Sequence, residues 1–105
     1  VDDLVDACIF LTKMNEKGID RLFDDTHTPL INIGCGKDQT VKEIAAIVAE
    51  VVRYKGDVKW DQYKPDGTRQ KLLDISKIKK LGWKPNIALK DGIQDVYEWY
   101  LKGTK

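Results

Sequence analysis

Over the first eleven residues, apolar side chains fall at Val1, Leu4, Val5, Cys8, Ile9 and Leu11, the three- and four-residue spacing of a helical stripe. Asp2 and Asp3 sit at its N-terminal end, where the helix dipole favours negative charge. "NEKGID" reads as the end of that helix, with Gly18 as terminator. Residues 19 to 28 are polar and irregular, and "PLINIG" then reads as a short buried strand. Thr40 and Glu43 form a T-x-x-E capping box, followed on one face by Val41, Ile44, Ala45, Val48, Val51 and Val52. "GDVKWD" is a second short strand entered from a glycine turn, and Leu72-Leu73 offers a place for a third. Ile75 to Leu81 is a short helix closed by Gly82, and Leu89, Ile93, Val96, Tyr97 and Tyr100 line a terminal helix. The pattern predicts a small α/β unit, α+β-like, with short strands and three main helices.

A chain of 105 residues makes a single domain, 1–105, able to bury roughly 60–70% of its unfolded surface. Eighteen basic and seventeen acidic residues leave a net charge of +1, so no global field draws nucleic acid or a membrane surface, and any anion site must be local. No apolar run approaches the ~20 residues that span a bilayer, and "VDDLVDACIF" is no signal peptide. The two cysteines are far apart; Cys8, within an apolar helical pattern, is expected to be a buried free thiol. This composition suits a reducing cytoplasm. The chain starts at Val1, without methionine and inside a pattern, so the expectation is a piece of something longer.

"INIGCGKDQT" places G-x-G after a predicted strand and before a helix, which is half of a dinucleotide-binding fingerprint. The third glycine, needed for close helix–strand packing, is replaced by Gln39, so Gly34 and Gly36 read as a sharp turn into the capped helix. A Tyr-x-x-x-Lys pair, in which the ammonium lowers the phenol's pKa, is also absent. Tyr54, Tyr63, Tyr97 and Tyr100 are followed four residues on by Val58, Gly67, Leu101 and Thr104. The one histidine, His27, lies in a polar loop without a partner and reads as solvent-exposed. One histidine and two scattered cysteines do not make a zinc site. Trp60, Trp83 and Trp99 read as core or core-edge packing.

The stretch "KPDGTRQKLLDISKIKKLGWKP", residues 64–85, is where binding chemistry concentrates. Pro65-Asp66-Gly67 is a turn sequence, and an extended segment after it would point Lys71 opposite to Leu72, toward solvent or a ligand. A pyrophosphate suits such a cation, because charge-assisted bonds to phosphate are short and strong. The residues alone leave two readings open, a solvated hairpin or an anion site.

Together, "VDDLVDA", "INIGCGKDQTVKEIAAIVAEVV", "KPDGTRQKLLDISKIKKLGWKP" and "LKDGIQDVYEWYL" resemble the C-terminal part of the GDP-L-fucose synthases. These form a branch of the extended short-chain dehydrogenase/reductase group of nucleotide-sugar enzymes. The resemblance runs from Val1 to about Leu101, and the "KPDGT…KLLD" and "SKIKKLGW" segments point to this branch in particular. It implies a two-domain homodimer whose N-terminal Rossmann domain binds NADP and carries the reductase Ser, Tyr and Lys. The cysteine and histidine of the epimerisation chemistry are also upstream there, so Cys8, Cys35 and His27 inherit no catalytic role. The C-terminal domain, which this chain resembles, binds the GDP-sugar. Lys71 then matches the lysine that meets the nucleotide, and Asp66 the aspartate of the Pro-Asp-Gly turn. Where the family carries Pro-Arg, this chain has Arg69-Gln70, and the shifted cation is expected to face away from the ligand. Two alternatives stand beside this reading: another nucleotide-sugar epimerase or dehydratase, and a stand-alone binding module without chemistry.

Overall fold

The computed structural model describes residues 1–23 and 30–103. Five helices occur among them: α1 (Asp2–Thr12), α2 (Glu16–Phe23), α3 (Val41–Val51), α4 (Ser76–Lys80) and α5 (Leu89–Gly103). His27 lies outside the described residues.

The chain organises into two compact units. One joins Val1–Lys37 with Leu72–Asn86; the other joins Asp38–Lys71 with Ile87–Lys105.

In the first unit, α1 carries Asp2 and Asp3 in its first turn, as the dipole favours, but it stops at Thr12 instead of running on to Gly18. Asn15 starts a new helix: its Oδ1 accepts from the Gly18 N–H at 3.0 Å, three residues on, as an N-capping side chain does. Gly18 therefore lies inside α2, and the stretch expected to be irregular is helical to Phe23. A capping acceptor decides the local structure more strongly here than a glycine breaks it.

Wholly or nearly buried Ala7, Ile75, Ile78 and Trp83 form the core of this unit, with Phe10, Ile31 and Ile33 packed against them. Two polar ties fasten α1 to the segment after α4. Trp83 Nε1–H donates to Asp6 Oδ2 at 2.8 Å, and the Asn86 N–H donates to the Asp3 carboxylate at 3.1 Å. The end of α4 explains the Gly-Trp pair. Gly82 takes φ +103°, its N–H bonds the Lys79 carbonyl at 3.0 Å, and the Trp83 N–H bonds the Ile78 carbonyl at 3.2 Å. This is the Schellman pattern, and the hydrophobic contact that accompanies it is Ile78 with Trp83. Gly36, at φ +67°, carries the chain past Ile75 so closely that a Cβ there would stand 2.5 Å from Ile75 Cδ1. The turn expected of this glycine is thus also a packing requirement.

In the second unit, Thr40 and Glu43 form the expected capping box. The Glu43 N–H donates to Thr40 Oγ1 at 3.1 Å, and the Thr40 N–H donates to Glu43 Oε2 at 2.7 Å. The helix packs on α5, and a Lys90–Glu50 ion pair ties the two. Val51 is the buried side chain of α3, while α5 buries none of its own.

No strand forms among the described residues. The segments expected to be strands, around Ile31–Gly34, Val58–Trp60 and Leu72–Leu73, run as unpaired connections. Their apolar content is right for strands, but a strand exists only where a neighbour exchanges backbone hydrogen bonds with it, and no described segment does so. Instead the 30–34 segment is tied by side chains: Asn32 Nδ2 donates to the Asp74 carbonyl at 3.2 Å, and Lys77 Nζ to the Leu30 carbonyl at 3.3 Å.

Two further expectations change. Cys8 is exposed, because α1 turns Ala7 and Phe10 inward and leaves position 8 on the outer side. Of the tryptophans only Trp83 is core, at 5% exposed; Trp60 and Trp99 are 52% and 74% exposed.

Candidate functional site

The second unit carries a cleft of about 590 Å³. One wall is the start of α3, from Asp38 through Thr40 to Ile44; the other is the loop Thr68–Lys71. Position by position, the sequence explains each wall. The capping box fixes where α3 begins and therefore where its first turn stands. The loop is held apart from regular structure by an earlier turn: Asp61 Oδ1 accepts from the Tyr63 N–H at 3.0 Å, and the Lys64 N–H reaches the Asp61 carbonyl at 3.4 Å.

That turn corrects one sequence expectation. It is built on Asp61–Lys64, where an aspartate side chain bonds the backbone two residues on, and not on Pro65-Asp66-Gly67. Gly67 keeps out of the left-handed region and has nothing within 4 Å of a Cβ position.

Of the three residues singled out by sequence, Lys71 and Arg69 line the cleft together, and Asp66 does not line it. Arg69, the cation expected to face away from the ligand, lines the same cleft as Lys71. Side chains two residues apart share a face of an extended chain, as alternation of successive side chains requires. Two cations on one wall of one cleft suit an anion carrying more than one charged oxygen.

The acidic side chains of the cleft are turned to backbone work. Asp38 Oδ1 accepts from the Gln39 N–H at 2.9 Å. Glu43 accepts from the Thr40 N–H and hydroxyl, and these bonds, the backbone one foremost, hold its carboxyl below the usual glutamate range. It stays ionised at neutral pH, and it is a cap, not a proton donor. The cleft thus offers charge and hydrogen bonds to a ligand without an acid–base pair beside them, the equipment of a binding site.

Sequence reasoning singled out Arg69 and Lys71 on one wall and missed the other wall. Thr40 and Glu43 were legible as a helix start, but their placement opposite Arg69 and Lys71 depends on a chain reversal some 25 residues long, which carries no local signal. The first unit has its own cleft of about 430 Å³, where Leu72, Leu73 and Lys79 meet Gly36. Asp74 lines it: its Oδ1 accepts from the Ser76 N–H at 2.9 Å, two residues on, which holds its carboxyl below the ordinary aspartate range.

No protein-family model matches the chain. It is 47% identical over 104 residues to GDP-L-fucose synthase 1 of Arabidopsis thaliana and 39% identical over 104 residues to GDP-L-fucose synthase of Escherichia coli. These matches take in 99% and 97% of the chain but only 29% and 32% of the relatives, so the chain spans about three tenths of their length. Among solved structures, a GDP-6-OMe-4-keto-L-xylo-heptose reductase from Campylobacter jejuni superposes with a TM-score of 0.84 at 41% identity, over 97% of this chain and 29% of that one. A GDP-mannoheptose C4 reductase from the same organism, with NADP bound, gives 0.76 at 38% identity, over 95% and 29%. By sequence and by fold, this chain is the counterpart of the C-terminal part of the GDP-L-fucose synthase family.

Proposed function

We propose that the chain is the nucleotide-sugar-binding part of a GDP-L-fucose synthase, the NADPH-dependent 3,5-epimerase-4-reductase that converts GDP-4-keto-6-deoxy-D-mannose to GDP-L-fucose. The observation that carries this reading is the cleft on which Arg69 and Lys71 converge, within the segment that most resembles the family. The two cations hold the diphosphate of the GDP-sugar, and Asp66, beside Gly67, shapes the approach of the chain to Lys71. NADP and the catalytic side chains belong to a Rossmann domain preceding this part, and residues 1–105 act as one substrate domain beside it. The segments around Ile31, Val58 and Leu72 complete their backbone pairing as short strands in the whole enzyme, which works as a cytoplasmic homodimer. No described helix is long and apolar enough to cross a membrane.

A second reading has an observation of its own. Two solved structures with this fold are named as GDP-heptose reductases, so the second reading takes a heptose in place of a 6-deoxyhexose. Both readings require GDP. Calorimetric titration of the chain with GDP, GMP and inorganic phosphate tests them: GDP should bind more tightly than GMP, since the second phosphate meets the second cation. Equal binding of GDP and GMP would remove the diphosphate from the cleft.

A further inference from the structure

The cleft of the second unit has a wall that a diphosphate on Arg69 and Lys71 leaves uncovered. On the α3 side it is lined by Val41 and Ile44, which are 71% and 39% exposed. They stand three residues apart and so share one face of the helix. Gln39 lines the cleft beside them. Its backbone N–H is taken by Asp38, while its carboxamide has no partner among the described residues. The carboxylates of the same wall are occupied, Asp38 with that N–H and Glu43 with Thr40. What this wall offers a ligand is therefore an apolar surface with one carboxamide at its edge, able both to donate and to accept.

The two walls differ in the way the two ends of a nucleotide differ. Phosphate oxygens call for cations, whereas a nucleobase has an apolar face and an edge of alternating donors and acceptors. A cleft of about 590 Å³ falls within the range of small-molecule sites. We propose that the α3 wall seats the nucleobase, with Val41 and Ile44 against the face of the ring and the Gln39 carboxamide hydrogen-bonded to its edge. Gln39 is then a base-binding residue of the site. The inference rests on the reading that the cleft takes a nucleoside diphosphate, and it adds the direction in which that ligand lies.

Calorimetric titration of the 105-residue chain with GDP and with ribose diphosphate, which lacks only the base, tests it. GDP should bind the unmodified chain at least about tenfold more tightly. Gln39→Ala should weaken GDP about fivefold, the contribution of one neutral hydrogen bond, and leave ribose diphosphate unchanged. Val41→Ser should weaken GDP by a similar factor through lost contact with the ring. Both side chains are exposed, so circular dichroism should show the helices of each variant intact. Loss of GDP and ribose diphosphate affinity in equal measure would overturn the proposal, because the wall would then act on the phosphates or on the fold. Unchanged GDP affinity in both variants would place the base elsewhere and overturn it too. If neither ligand bound the unmodified chain, the nucleotide reading of the cleft would fail, and this inference with it.

Discussion

Arg69 and Lys71 supply the positive charge of the cleft wall, and both are exposed, so each acts partly through solvent. A hydrogen bond to a charged group contributes roughly 1.5–3 kcal/mol, and exposure moves the expectation to the lower end. In the whole enzyme of the proposed function, Lys71→Ala should weaken GDP-sugar binding about tenfold, read as a rise in KM with kcat nearly kept, because a diphosphate far from the reacting carbons is bound alike in ground and transition states. Arg69→Ala should match it, since the two side chains share the cleft. An unchanged KM for Arg69→Ala would restore the expectation that this cation looks elsewhere. The carboxylates offer a second test, in pH. Hydrogen bonds hold the Glu43 and Asp74 carboxyls below their ordinary values. Their contribution to stability is therefore full above about pH 4–4.5 and is lost as pH falls through the lowered folded-state values. The melting temperature of the unmodified chain should drop more steeply below about pH 4 than that of Glu43→Gln with Asp74→Asn; parallel curves would show that neither carboxylate is coupled to folding.

The helices are stopped and started by caps, and the caps rank the glycines. Gly82 holds φ +103° with open space around it, so Gly82→Ala meets no clash and tests the backbone alone. It should destabilise by about 1–2 kcal/mol, the penalty of the left-handed region for a Cβ-bearing residue. Gly67 also has open space but stays out of that region. Gly67→Ala should be neutral or raise stability slightly, by limiting the unfolded chain. Denaturant midpoints of the two variants decide this, and a large loss at Gly67 would return the turn to Pro65-Asp66-Gly67. Helices were legible in the sequence at this scale because their signals are local: the T-x-x-E of α3, the Gly-Trp stop of α4, the long stripe of α5. The α1–α2 boundary was not, since Asn15 as a cap and Gly18 as a breaker make competing local arguments. Strands were the least legible, because an apolar run such as Leu30–Ile33 can be read locally while its pairing partner cannot.

For the whole molecule, the equipment is unequal. A cleft with two cations is present, and the Tyr-x-x-x-Lys and complete glycine fingerprint of a reductase are absent from the 105 residues. The chain incubated with NADPH and GDP-4-keto-6-deoxymannose should leave the nicotinamide absorbance constant. Sustained loss of that absorbance would place reductase chemistry within these residues and sink the proposed division of labour.

The sequence by itself determined helices α3, α4 and α5, the capping box of α3 and the near-neutral charge, because each is set by composition or by residues within a few positions of one another. Tertiary structure alone decided that Arg69 joins Lys71 opposite the start of α3, that Trp83 is buried while Trp60 and Trp99 are not, and that Cys8 lies on an open apolar stripe. Periodicity says which side chains share a face of a helix. It cannot say how many layers cover that helix: Ala7 of α1 packs with Ile75, Ile78 and Trp83, while Leu4, Val5 and Ile9 stay about half exposed among the described residues.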